Sequence, residues 1–600
     1  MTSSKTTNYQ LEQGSSHTPS TGRPVLQGSN GIISSGHYLT SMAGMRVLLD
    51  GGNAFDAMVA ATFAAAVVEP IASYSIGAES VFMLYYAKTK ELVSYSGQGV
   101  APFLATSDYY RSNGLNVIPT GPGNLAHLSF TVPGVVGGLT SILARFGTKT
   151  IKEVISTSIT YANEGIPNYK YMTEALRSPG ILTQFNNYPP GGSDIFFDNG
   201  RVPKIGSILL QKSLGKTLNS LIKSGAQSLS NRAKEIKAAR DAFYMGEIAE
   251  KIDVNVAKLG GLLKLEDLAQ YKAKSEKPIK TTFHDFTIHG QGTWSQAGVL
   301  LQSLNILENF DLQSIGHNTP EYIHLVVEAM KLSMADREAY YGDPDFSQVP
   351  IDGLLSKEYS DERSQLIKKD YPFIEMPSHG DPYKYSNLDG FKPAYVKPVY
   401  NPSHMDPEVG TTHIAVQDQE GNIACATPSG GSFEKSVFFA DLGFALSTRI
   451  EMFNLQEGHA NVIKPGKRPR TTLVNYIVEK QGTPFATFGC PGGDHQVQGN
   501  LQLMLNYFVF GMSPQEAIEA PRFATDSVPN SFYPHVYYPG QVSVEGGIDS
   551  DTVYELKVKG HKVVRAKVCG LGATITTRDL DTGVMSAGAD PRRACYAMSW

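Results

Sequence analysis

Residues 371–410 carry no hydrophobic period: the stretch is rich in Pro, Tyr, Gly and Asp and stops abruptly at Gly410. Aperiodic connections of about forty residues are uncommon inside compact domains and tend to be functional or mobile. The chain changes character at once beyond it. From Thr412 to Ala426 it reads strand, turn, strand, with Glu420-Gly421-Asn422 as the turn. Any fold must therefore accommodate a long patternless connection that runs straight into a sheet. The break divides the sequence into a segment 29–410 and a segment 411–600. Single cores usually stop growing near ~250–300 residues, so a chain of 600 residues also calls for more than one folding unit on length alone.

Elsewhere the patterns are more regular. Residues 1–28 form a polar tail, predicted to be disordered, with no apolar run of a secretory signal. Ser41–Leu49 is amphipathic and ends at Gly51-Gly52. Asn53 is placed to cap a second helix, Ala54–Val68, which is apolar nearly all round and so predicted to be buried. Val81–Tyr86 and Glu91–Tyr95 read as a hairpin, and Glu321–Tyr341 as a long helix ended by Gly342-Asp343-Pro344. Further strand-like runs at 473–478, 485–488, 541–545 and 573–577 make the last third α/β with substantial sheet. No stretch reaches the ~18 continuous apolar residues of a membrane span. A net charge of −5 gives no electrostatic footprint for nucleic acid or anionic membrane. Four cysteines, none in a CxxC pair, point to buried reduced thiols. The expected location is cytoplasmic. Lys464, Lys467, Arg468 and Arg470 form a local basic cluster, compact enough to belong to a site.

Gly410-Thr411-Thr412-His413 has a chemical reading and a plain one. A threonine at a chain start has a hydroxyl nucleophile and a free α-amine a few ångströms away. That amine has a pKa of ~7.7–8.0 and can act as its own base near neutral pH. To expose it, Thr411 would attack the Gly410 carbonyl, an N-to-O acyl shift would give an ester, and water would release the new terminus. Read alone, the four residues are a weak signal, since most such segments are simply strand starts. His413 shares a face with Thr411 on an alternating strand, but two residues span ~6–7 Å. The α-amine is nearer, so His413 is expected to be structural. Neither HExxH, GxSxG nor a P-loop occurs, and no metal-ligand set or cofactor motif is legible.

Several segments taken together resolve the ambiguity. Gly51-Gly52-Asn53-Ala54 with Asp56-Ala57, Val67-Val68-Glu69-Pro70, Val132-Pro133-Gly134 with Gly138-Leu139, and Glu328 to Leu332 with Ala335-Asp336-Arg337 occur in that order. They are followed by Gly342 to Asp345, Thr411-Thr412-His413, Asp418 to Asn422, Pro465 to Pro469, Pro491-Gly492-Gly493, Ala520 to Phe523 and Asp590-Pro591-Arg592-Arg593. Over about residues 28 to 597 the chain resembles the gamma-glutamyltranspeptidase family of N-terminal-nucleophile hydrolases. The resemblance implies a four-layer αββα sandwich built from two segments of one precursor, with no cofactor or metal. It makes Thr411 the nucleophile and new N-terminus, with cleavage between Gly410 and Thr411. It places Ser429 beside the terminal amine, gives Gly492 and Gly493 the oxyanion-binding amides, and puts Thr471 and Thr472 where paired serines meet a substrate carboxylate. The implied partners are a small-molecule amide and water, not nucleic acid or membrane, with large and small subunits open to further oligomerisation.

The departures are as informative. The family's substrate-gripping arginine aligns with Gln98, and the NNxxDD stretch reads Ser447-Thr448-Arg449-Ile450-Glu451-Met452, so the carboxylate for a substrate ammonium becomes Met452. The Gly-rich run after Ile76-Gly77 reads Ala78-Glu79-Ser80, and Gly431 replaces an asparagine. Replacing a charged clamp by an amide forfeits a contact worth ~1.5–3 kcal/mol. Arg449 and Arg470 are new cations nearby, either substitutes for the clamp or structural. Between Phe453 and Asn461 the chain is too short for the usual lid, which predicts an open pocket and hydrolysis favoured over transfer. Three readings follow: a gamma-glutamyl or glutathione hydrolase; an amidohydrolase or acylase on another small carboxylated amide, oxamate-like or acyl-amide; and an unprocessed binding homologue.

Overall fold

Side chains alternate between two faces along a strand, and here the two faces meet different neighbours. In Ile414–Asp418, Ile414 and Val416 join a hydrophobic core, while Gln417 reaches across to Phe485 O and Thr576 Oγ1 of a second sheet. A computed structural model, which describes residues 21–188, 191–226, 231–390, 393–394, 410–532 and 535–600, shows two seven-stranded sheets in contact.

One sheet runs in the order Tyr596–Ser599, Gly31–Ser35, Ile414–Asp418, Ile423–Ser429, Glu79–Tyr86, Glu91–Gly97 and Lys274–Glu276. The other runs Leu26–Gly28, Met585–Ala589, Thr574–Arg578, Thr483–Gly489, Tyr476–Lys480, Phe286–Gly290 and Ile279–Phe283. All neighbouring pairs in both are antiparallel. Helices cover each outer face. Ala54–Val68, capped by Asn53 and buried at all fifteen residues, lies in the core over the first sheet. Ala297–Leu307, Pro320–Tyr340 and His495–Phe508 lie in the core over the second. The layers are therefore αββα, the architecture that the resemblance implies.

Between the sheets the packing is largely polar. Thr427 donates to Asn475 Oδ1 at 2.6 Å, and Asn475 donates to Val81 O at 2.8 Å. Cys425, Met83, Ile423 and Ile477 supply a small apolar patch. All four cysteines are buried and free.

Two sequence expectations change. The polar tail predicted over residues 1–28 ends earlier, because Leu26–Gly28 pairs with Met585–Ala589 as an edge strand; residues 1–20 lie outside the described residues. The strand expected at 473–478 runs Tyr476–Lys480, since Leu473 packs instead with Trp294 and Val81. Of the 371–410 connection, the described part crosses the Pro320–Tyr340 helix, where Phe373 N donates to Glu328 and Gly380 N to Asp336. Residues 391–392 and 395–409 lie outside the described residues.

Candidate active site

Strand register assembles one end of the first sheet. Ser429, last in its strand, stands opposite Glu79, first in the next, and Ser80 stands opposite Gly97, just before Gln98. Ser429 and Glu79 share the face that carries Thr427 and Val81, the face turned toward the second sheet. Thr411 enters this end directly before its own strand. Thr411 Oγ1 donates to Ser429 Oγ at 3.1 Å. Its backbone is held at both ends: Thr411 N donates to Ala72 O at 2.5 Å, and Arg593 Nη1 donates to Thr411 O at 2.5 Å.

The backbone at this residue is strained. Thr411 has φ 93, in the region glycine favours, and a β-branched residue there is an outlier costing on the order of 1–3 kcal/mol. The preceding Gly410 is pressed against Ser73, itself at φ 53, so closely that a Cβ would lie 2.3 Å from Ser73 Oγ. Thr411 is 2% exposed. The open pocket predicted from the short Phe453–Asn461 connection is thus not seen at the hydroxyl, because the continuous chain seats Gly410 and Thr411 against Ala72 and Ser73.

Gly492 and Gly493 lie in the turn between Thr483–Gly489 and the His495–Phe508 helix, at φ 122 and 49. Both are buried, and among the described residues neither amide N–H donates a hydrogen bond within the protein. Buried N–H groups are rarely left unpaired, so this pair can receive an external acceptor. The turn is braced from behind. Gln296 Nε2 donates to Gly493 O at 3.1 Å and Thr472 O at 3.0 Å, and Arg337 Nη1 donates to Gln296 Oε1 at 2.8 Å. Asp494 is tied to Arg337 and accepts from Ser531 N at 2.6 Å, so it holds the turn in place. His495 pairs with Asp526 at 3.0 Å.

The remaining predicted residues divide into two groups. Arg449 is with Thr411 and Ser429: its Nη2 donates to Ser429 Oγ at 2.9 Å and its Nε to Glu79 Oε1 at 3.0 Å. Burial raises the Glu79 carboxyl to about 7, against the pull of Arg449 and the Gly99 amide. Gln98 is 1% exposed; its Nε2 donates to Pro469 O at 3.4 Å, and its Oε1 has no partner among the described residues. Thr471, Thr472 and Arg470 belong with the glycine turn instead. Thr471 Oγ1 accepts from Leu473 N, and Thr472 Oγ1 from Gln496 Nε2. Arg470 is committed inside the protein, to Glu338 at 2.7 Å and Arg337 O at 3.0 Å. Met452 is buried, with its carbonyl accepting from Asn461.

Other polar residues singled out by sequence are structural. His413 is buried, bonds Thr574 Oγ1 at 2.7 Å, and is held neutral by burial, which lowers its pKa to about 3. Arg468 pairs with Asp343 and Glu276, and Lys467 donates to Ala460 O and Val462 O, so most of the basic cluster serves packing. No metal-ligand set is legible in the sequence, yet the fold gathers His324, Glu328 and His561 with ligand atoms within 4.8 Å of one another. Glu328 already accepts Lys331 Nζ at 2.7 Å, so its charge is met by an internal ammonium. Three supporting residues escaped sequence reading. Arg593 lay in a motif to which no role was attached; Glu79 showed only as a departure from a glycine run; Gln296 gave no signal.

Comparison with known proteins places this arrangement. The family profile described as Gamma-glutamyltranspeptidase matches residues 40–600. The chain belongs to the gamma-glutamyltranspeptidase family. Its relatives include the glutathione hydrolase proenzyme of Bacillus subtilis (strain 168), 32% identical over 573 residues, covering 95% of this chain and 92% of that protein. Among solved structures, LmbA2991T421A has a TM-score of 0.87 at 34% identity, covering 96% of this chain and 99% of its own. The cephalosporin acylase of Bacillus halodurans has a TM-score of 0.82 at 26% identity, covering 98% and 99%. Membership gives the departures at Glu79 and Arg449 their weight, because they pair beside Ser429, the hydroxyl to which Thr411 donates. No described helix is long and apolar enough to cross a membrane.

Proposed function

We propose that the chain is a cytoplasmic amide hydrolase that cuts itself between Gly410 and Thr411 and then works through a threonyl ester. The observation that carries this reading is the strained Thr411, whose hydroxyl bonds Ser429 while Ala72 and Arg593 fix its backbone. In the first step Thr411 Oγ1 attacks the Gly410 carbonyl, the amide nitrogen leaves as the Thr411 α-amine, and water hydrolyses the ester. In turnover the α-amine takes the hydroxyl proton, Oγ1 attacks the substrate carbonyl, and the Gly492 and Gly493 amides receive the oxyanion. Such donors contribute ~10²–10³ each in rate. Proton return to the leaving amine gives the threonyl ester, which water clears.

The substrate is a gamma-glutamyl or similar small amide. A second reading, an acylase acting on a carboxylated amide without an α-amino group, is favoured by Gln98, by Met452 and by an Arg449 already paired with Glu79. Relatives named for both chemistries are found at full length. The test compares glutamate release from a gamma-glutamyl anilide with hydrolysis of the glutaryl anilide, which lacks only the amino group. Preference for the first supports glutathione-type substrates, and preference for the second supports the acylase reading. Added amino-acid acceptor is expected not to speed turnover. A protein that stays at the full 65.1 kDa in an intact-mass spectrum would instead be an unprocessed binding homologue.

A further inference from the structure

Two departures from the family pattern meet each other. Glu79 lies in the stretch Ala78-Glu79-Ser80 that departs from the Gly-rich run, Arg449 within the altered NNxxDD stretch, and they pair across 370 residues of sequence. Each end of that pair has a second contact. The other Glu79 oxygen accepts the Gly99 N–H at 3.3 Å, and Arg449 Nη2 donates to Ser429 Oγ. The Phe532 ring covers the guanidinium at 4.9 Å. Arginine is a donor only, with no acceptor atom. Ser429 Oγ thus accepts from Arg449, and it also accepts from Thr411 Oγ1. With Thr411 Oγ1 donating to Ser429 Oγ, its lone pairs are left for the Gly410 carbonyl.

We infer that Glu79 is a positioning residue for self-cleavage, acting through Arg449 and Ser429 to hold the Thr411 hydroxyl in its attacking orientation. This rests on Thr411 being the self-cleaving nucleophile. Both Glu79 oxygens face N–H donors, so a proton on the carboxylate removes the charge that strengthens these bonds and loosens the fork that holds Arg449. The charged or titratable groups around Glu79 are Arg449 itself and the Tyr271 phenol; behind Phe532 lies the Lys435–Glu451 pair. Burial holds the Glu79 carboxyl at about 7, so the loss falls in the neutral range and cleavage slows as pH drops through it.

The test uses the full-length chain made by cell-free synthesis, shifted into buffers on either side of neutrality, with loss of the intact band timed on denaturing gels. The wild-type rate is expected to rise as pH passes through about 7. Glu79→Gln should be slow at all pH, roughly ten-fold below wild type in the alkaline range, with a flat profile, and Glu79→Asp should recover part of the rate. Glu79→Gln cleaving at the wild-type rate with the wild-type profile overturns the proposal. Should that variant lose its cooperative melt, Arg449→Lys carries the test: an ammonium lacks the fork that spans Glu79 and Ser429, and a wild-type rate there overturns it equally. Thr411→Ala, run alongside, separates the two failures. If it still cuts, the nucleophile is misassigned; if it stays intact while Glu79→Gln cuts normally, the positioning role alone is wrong.

Discussion

Gly410→Ala probes whether the scissile peptide must lie where the fold seats it. The new Cβ would stand 2.3 Å from Ser73 Oγ, 2.6 Å from Ser73 Cβ and 3.2 Å from Ala72 O. Non-bonded carbons settle at ~3.5–4.0 Å, so the peptide or Ser73 must move by roughly 1 Å. Ser73 has little freedom, because it already sits at φ 53 and follows the residue whose carbonyl holds Thr411 N. Overpacking of this kind costs ~1–3 kcal/mol, a small loss for a protein of this size. A shift of ~1 Å at a reacting group costs ~10²-fold in rate. Gly410→Ala is therefore expected to melt within a few degrees of wild type yet cleave itself about 10²-fold more slowly. Ser73→Gly removes both of the closest atoms and accepts the positive φ freely. The double variant should regain most of the rate, with a coupling of at least ~1 kcal/mol in the double-mutant cycle. Timed denaturing gels of the four proteins give the numbers. A Gly410→Ala chain that cleaves at the wild-type rate, or a double variant as slow as the single, refutes the reasoning.

Thr411→Ala should abolish both cleavage and turnover, leaving one species near 65.1 kDa by intact mass. Gln296→Ala removes the donor that holds Gly493 O and Thr472 O, and should lower kcat ~10-fold or more with little change in KM, since the oxyanion exists only in the transition state; a KM effect alone would count against the brace. His413 is neutral in the fold, with its pKa lowered to about 3 by burial. The unfolded chain takes up that proton below ~6.5, so stability is complete above this pH and falls on acidification by up to ~1.4 kcal/mol per pH unit. His413→Gln should flatten the acid slope of urea midpoints measured at several pH values, and an unchanged slope would show that His413 does not set it.

How much of this was legible in the sequence depended on how local each cause is. The Ala54–Val68 helix announced its burial because nearly every residue is apolar, and Asn53 marked its start. The strand pair flanking Gly421 was equally plain. Gly31–Ser35 and Met585–Ala589 were not, because they are buried on both faces and so show no alternation. At the site, Thr411, Ser429 and the glycine pair could be located through the family pattern. Their supports could not be. Arg593 reaches Thr411 across 182 residues and Gln296 reaches Gly493 across 197, contacts that exist only after both sheets have formed. Arg470 shows the converse: a cation beside Thr471 and Thr472 in sequence, it pairs with Glu338 in the fold.

The order of strands has a consequence for how the protein can lose its structure. Ile414–Asp418, from the second segment, is hydrogen-bonded on one side to Gly31–Ser35 from the first, and Tyr476–Lys480 is bonded to Phe286–Gly290 in the same way. Before a cut at Gly410–Thr411, these strands meet as parts of one polymer, at an effective concentration in the millimolar range or above. After it, the same pairing must be found by two separate molecules, each exposing unpaired strand edges and half a core that invite aggregation. Cutting would thus change folding from a concentration-independent event into a bimolecular one, while leaving the folded contacts untouched. The uncut Thr411→Ala chain should refold from urea equally well at any dilution. The processed protein should behave as one that folds once, with its lifetime set by the rate of opening and not by an equilibrium it can revisit.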